Sequence, residues 1–140
     1  MRLAAKLLIA FLLLVPITIT NASYSGMADR QCLATALYYE ARGEPLAGRR
    51  AVLDTITNRM LATGKDACGV VFQHRQFAWT NKKPLLIYND EQRAKLSEVV
   101  GHPRVLVGSN YKYFYSGPPP VWADSMSCRR IKNQNFCEGK

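Results

Sequence analysis

No five consecutive residues of this 140-residue chain share a charge sign, and no internal repeat or low-complexity tract is present. That excludes a solenoid, a basic arm and a disordered acidic tail. No C-x-x-C pair occurs, and the two histidines, His74 and His102, stand near no cysteine. The usual zinc spacings are therefore missing, and neither a metal nor another cofactor is expected. The apolar run at residues 7–20 is shorter than the about 20 residues that a bilayer-crossing helix needs. The chain is also too short for two ordinary domains, so one core is expected.

The first residues have the plan of an export signal. Arg2 and Lys6 precede the uncharged run, and the small or polar residues Asn21, Ala22 and Ser23 follow it, which predicts a signal peptide over 1–22. A retained signal anchor is the competing reading. Removing that segment takes two basic residues and no acidic one, which lowers the formal charge from +9 to +7. Such a surface attracts polyanions in general, including envelope polymers, and equally serves solubility. Cys32, Cys68, Cys128 and Cys137 in an exported chain predict two disulfides. Three pairings are open; the closeness of Cys128 and Cys137 favours that bridge, which leaves Cys32 with Cys68.

Residues 23–28 read as a short linker before a catalytic domain over 23–140. A first helix is predicted from Asp29, as N-cap, to about Tyr39 or Glu40, closed by Gly43 and Pro45. Leu33, Leu37 and Glu40 share one face of it at i, i+4 and i+7. A second helix fits 45–62, with Pro45 in its first turn, a face of Ala51, Val52, Thr55, Ile56 and Met60, and Gly64 as its stop. Residues 68–72 are too brief to assign, and 73–88 form a loop rich in aromatic and amide groups. A third helix is signalled by Asn89 or Asp90 as cap, with Leu96, Val99 and Val100 buried and Gly101 at its end. Tyr111, Tyr113 and Tyr115 alternate as in a strand with three phenols on one side, and 129–136 reads as one more short strand. The expected class is α+β, mainly helical, in a single domain.

The stretch Tyr39-Glu-Ala-Arg-Gly-Glu-Pro45 holds the strongest chemical signal. Glu40 ends an apolar stripe where a helix stops, and burial of that kind disfavours the ionised carboxylate and raises its pKa. A carboxylic acid kept protonated near neutral pH can donate to a glycosidic oxygen. The competing structural reading pairs Glu40 with Arg42 or Arg49 in an ion pair. Glu44, before Pro45, fits either a sugar-contacting role or a cap on the second helix.

The run from Cys32 to Pro45, followed by Gly48, Ala51-Val52, Asn58-Arg59, Cys68-Gly-Val-Val-Phe-Gln73 and Gln76-Phe-Ala-Trp-Thr80, resembles the SleB-type, spore-cortex-lytic cell wall hydrolases over nearly all of the mature chain. The resemblance implies a lysozyme-like fold and lytic transglycosylase chemistry between N-acetylmuramic acid and N-acetylglucosamine, with Glu40 as the catalytic acid. Two positions depart from the family pattern. Ile131-Lys-Asn-Gln-Asn-Phe136 stands where Ile-Gly-Asn-His-x-Phe is usual, and Lys112 stands where a histidine often precedes the tyrosine pair.

Glycosidases of the ordinary kind use two carboxylates, about 5 Å or about 6.5–9.5 Å apart. No second acid has a clear claim here, because Asp54, Asp66, Asp90, Glu91 and Asp124 read as helix-surface, cap or loop residues. A transglycosylase needs only Glu40, since the muramic 6-hydroxyl is the nucleophile. Glu44, Gln76, Phe77, Trp79 and Tyr113 are the expected groove residues, with a core role as the alternative for Phe77. Asn58 reads as a buried hydrogen-bonder beneath the cleft. The expected partner is peptidoglycan, met by a monomer exported to the periplasm or outer envelope, with no nucleic acid and with membrane contact only through residues 1–22. Bacterial wall remodelling and phage lysis both suit these features. Two rivals remain: a non-catalytic basic exported protein that binds envelope polymer or membrane, and an exported nuclease built on His74 or His102.

Overall fold

The computed structural model describes residues 26–74, 76–82, 85–108 and 110–139; the expected export segment, 1–22, lies outside them. Among the described residues no helix is long and apolar enough to cross a membrane.

Helix α1 spans Met27–Ala41 and α2 spans Leu46–Thr63. The linker expected at 23–28 is thus partly helical, because α1 starts two residues before Asp29. Asp29 does not cap α1. Its Oδ1 instead accepts from the Ala67 N–H at 3.1 Å, at the first residue of a five-residue helix, α3, Ala67–Val71. Pro45 is the N-cap of α2 rather than a first-turn residue, and Gly64 closes that helix in the left-handed region with its N–H on the Met60 carbonyl. A glycine fits there because the conformation costs it no Cβ clash. Helix α4, Asp90–Gly101, is capped by the Asn89 side chain, which accepts from Gln92 N. Leu96 and Val99 of α4 are buried, but Val100, expected beside them, is 41% exposed.

Three strands complete the domain: β1 Tyr111–Ser116, β2 Cys128–Ile131 and β3 Gln134–Glu138. They form one antiparallel sheet in the order β1-β3-β2. The single strand expected at 129–136 is therefore a hairpin, turned by Lys132 and Asn133 with Lys132 at a φ of 53°. The three phenols do not share a face either. The register of β1 on β3 shifts between Tyr111 and Tyr113, and such a bulge reverses the alternation. Tyr111 packs on the core while Tyr113 and Tyr115 both approach Trp122.

Helix α2 is the axis of the described domain, touching α1, α3 and α4 and all three strands. Residues 51–58 are consequently buried all the way round, not on one face. Asp54, expected at the surface, is fully buried within this run. Its carboxylate accepts from Arg50 Nε at 3.0 Å, from Arg104 Nε at 3.2 Å and from the backbone N–H groups of Val105 and Leu106 at 2.9 and 3.0 Å. A buried charge is tolerable only when its lone pairs are all engaged in this way. Disulfides join Cys32 to Cys68, tying α1 to α3, and Cys128 to Cys137, tying β2 to β3.

Candidate active site

Glu40 lies in the last turn of α1, with its side chain partly buried. Neither arginine of the structural alternative reaches it: Arg42 donates to the Tyr38 hydroxyl at 3.1 Å, and Arg49 pairs with Glu98 at 3.2 Å. Its partner is Trp79, whose indole Nε1–H donates to Oε1 at 2.7 Å. Burial is the main influence on the carboxyl and pushes its pKa above the ordinary carboxylate value; the Trp79 hydrogen bond and the Arg59 charge pull the other way without reversing it. The result is an acid that keeps its proton to higher pH than an ordinary carboxyl group does.

Trp79 sits in a short 3-10 helix, Ala78–Lys82, inside the segment expected to be loop. Its ring stacks on Tyr39 at 4.6 Å and 17°, meets Phe72 edge-on at 5.9 Å and lies 5.9 Å from Phe77. These contacts fix the indole plane, so the donor is aimed at Glu40 before any substrate arrives. Phe77 is 3% exposed and belongs to the core, with its ring 6.0 Å from Phe114. It still forms part of the cavity floor.

That cavity, of about 340 Å³, is lined by Glu40 and Tyr39 from α1, by Gln76, Phe77 and Ala78, by Phe114, Tyr115 and Ser116 from β1, and by Gln134 from β3. Gln134 stands where the resemblance expects histidine. It is 4% exposed, and its Nε2 donates to the Glu40 backbone carbonyl at 2.9 Å, so β3 holds the helix end that carries the acid. A second cavity, of about 360 Å³, is bounded by Arg59, Gln76, Tyr113, Phe114, Trp122 and Met126. Gln76 and Phe114 border both, so the two cavities lie side by side across β1 and together make up the groove. Among the described residues Glu40 is the sole carboxylate lining them.

Of the residues expected at the groove, Gln76, Phe77 and Tyr113 line it and Trp79 contacts the acid. Glu44 lines neither cavity. It sits in the turn between α1 and α2 with its Oε2 buried against Gly48 and with no hydrogen-bond partner among the described residues. Asn58 lies beneath, donating to the carbonyls of Gly108 and Tyr111 and accepting from Arg104. His74 is exposed and the His102 ring faces the Pro103 carbonyl, and neither meets an acid–base partner among the described residues. Arg59, Tyr39, Trp122 and Gln134 were not anticipated as site residues. The Arg59 position was visible as the Asn-Arg pair of the motif, and that of Gln134 as a departure from it.

The fold and the groove together define a class. Residues 43–137 match the family model for Cell Wall Hydrolase, and the chain belongs to that family; the matched segment starts just after Glu40. Among solved structures the chain is similar to the catalytic domain of the Bacillus cereus SleB protein, at 25% identity and a TM-score of 0.64 over 81% of this chain and 91% of that one. It is also similar to the catalytic domain of the germination-specific lytic transglycosylase SleB from Bacillus anthracis, at 25% identity and a TM-score of 0.66 over 84% and 99%. No curated protein sequence matches it significantly. The mainly helical domain with its small three-stranded sheet is the SleB catalytic-domain fold, and the family is that of peptidoglycan-degrading enzymes.

Proposed function

We propose that this protein is an exported lytic transglycosylase that cuts peptidoglycan between N-acetylmuramic acid and N-acetylglucosamine, with Glu40 as its single catalytic carboxyl group. The observation that carries this reading is a groove whose one carboxylate is partly buried, raised in pKa and held by an indole N–H. In the forward step Glu40 gives its proton to the glycosidic oxygen as the bond from the muramic anomeric carbon breaks. The 6-hydroxyl of the same muramic residue then bonds to that carbon, and its proton returns to the Glu40 carboxylate. The product is a 1,6-anhydro sugar, no water is consumed, and the enzyme ends in its starting protonation state.

Trp79 orients the acid and stabilises the carboxylate formed midway through the cycle, a charge that exists only after proton donation. Gln76 and Tyr113 supply amide and hydroxyl groups to the acetamido and hydroxyl groups of the strand. Two disulfides suit an oxidising compartment. The lytic transglycosylase among the similar structures favours the anhydro product over simple hydrolysis.

Digestion of purified peptidoglycan by the oxidised mature domain and by its Glu40→Gln form tests this. Fragments one water lighter than reducing muropeptides, formed only by the Glu40 protein, are expected. Reducing ends would replace the reading with hydrolysis through a second carboxylate, and binding without fragments would replace it with a non-catalytic wall-binding role.

A further inference from the structure

Arg59 is largely enclosed, yet it forms no ion pair with any described residue. Its Nε donates to the Lys112 carbonyl, its Nη1 is buried with no hydrogen-bond partner among the described residues, and its guanidinium carbon lies 5.5 Å from the Phe77 ring centre and 5.6 Å from that of Tyr113. The other arginines with comparable cover differ: Arg50 is bonded to Asp54 and to two backbone carbonyls, and Arg49 is paired with Glu98. Enclosed cations are ordinarily paired. Arg59 instead forms one wall of the second cavity, facing Trp122, which is 42% exposed, and Tyr113, which is 36% exposed. A cation beside open aromatic faces suits a sugar ring that carries an anionic or strongly accepting substituent.

We infer that this second cavity is a subsite for a muramic residue, whose 3-O-lactyl carbonyl or carboxylate accepts hydrogen bonds from Arg59 while the sugar ring lies against Trp122. The inference rests on the glycan-cleaving reading and assigns a partner to the unpaired arginine within that groove. N-acetylglucosamine has no lactyl group, so Arg59 distinguishes the two sugars of the strand and sets the register in which it crosses Glu40. The shared walls at Gln76 and Phe114 place this subsite next to the acid.

Calorimetric binding to the inactive Glu40→Gln protein tests it, with two probes: the peptide-free tetrasaccharide of alternating N-acetylglucosamine and N-acetylmuramic acid, and chitotetraose, which has no lactyl group. The muramic probe should bind about tenfold tighter at low salt, as one charge-assisted hydrogen bond provides, and added salt should erode the preference. Arg59→Met in the same background should abolish the preference while leaving chitotetraose affinity in place, and Trp122→Ala should weaken both probes about fivefold. Equal affinity for the two probes, or a preference that survives Arg59→Met, overturns the subsite. If Arg59→Met loses its melting transition, the salt titration of the parent protein decides: a preference unchanged by salt overturns it. Binding of neither probe would remove the glycan-cleaving reading along with it, whereas equal binding by a protein whose Glu40 form still cuts peptidoglycan removes the subsite alone.

Discussion

The indole N–H of Trp79 and the carboxyl of Glu40 meet at 2.7 Å across a sequence separation of 39 residues. Trp79→Phe would keep much of the stack on Tyr39 but delete the donor. The bond favours the ionised form, so its loss should raise the Glu40 pKa further and move the alkaline limb of the pH–rate profile to higher pH. Because the carboxylate formed during turnover also loses its partner, kcat should fall about fivefold. A profile that keeps its limb in place would show that the indole does not tune the acid.

Stability should respond to pH at the same residue. The folded-state pKa of Glu40 lies above its unfolded value, so between the two the folded protein binds the extra proton and stability falls as pH rises. Below the ordinary carboxylate range the group is neutral in both states and contributes nothing. Glu40→Gln removes the titration and keeps an acceptor for Trp79. Its melting temperature should therefore exceed that of the parent by a margin that is smallest in acid, widens as pH rises from the ordinary carboxylate range to the raised pKa, and is constant above it. Scanning calorimetry over that range measures the margin.

Asp54→Asn should be among the most damaging single changes. The carboxylate is fully buried and serves two arginines and two backbone amides; an amide offers one acceptor oxygen and leaves the arginine charges uncompensated. A loss of about 3–5 kcal/mol in urea unfolding is expected. Activity per folded molecule should change little, since Asp54 lines neither cavity.

Gln134→Met separates tethering from stability. The substitution deletes the hydrogen bond to the Glu40 carbonyl, worth about 1 kcal/mol, and also deletes a buried Oε1 that has no hydrogen-bond partner, a gain of similar size. The two nearly cancel, so the urea midpoint should move little. The helix end bearing the acid is freed, however, and kcat should drop several-fold with KM less affected. A large stability loss with unchanged kcat per folded molecule would assign Gln134 to the core alone.

The sequence conveyed the helices well and the far-reaching contacts poorly. Asn89 as a cap, Gly64 as a stop and the 3.6-residue spacing are local signals, and α1, α2 and α4 follow them within about two residues. Helix α3 has five residues, too few for any period to register. The β2–β3 hairpin was hidden because its turn residues, Lys132 and Asn133, include no glycine. Asp54 read as a surface acid because its partners other than Arg50 lie about 50 positions away in sequence. The emplacement of Gln134 beside Glu40 likewise spans 94 positions. Glu40 stood out locally as an acid closing an apolar stripe, a pattern equally open to an ion pair with Arg42 or Arg49, and the resemblance of the surrounding run to the SleB-type family is what singled it out as a candidate acid.

The two disulfides have a consequence for how the groove comes together. One closes a loop between residues 32 and 68, the other between 128 and 137, and neither links the helical wall that carries Glu40 to the sheet wall that carries Gln134 and Tyr113. The covalent loops shorten the search within each wall and leave the meeting of the walls to packing against α2 and to single hydrogen bonds. Oxidation can therefore be complete in a chain whose groove is still open, and thiol content alone is a poor measure of how much enzyme is competent.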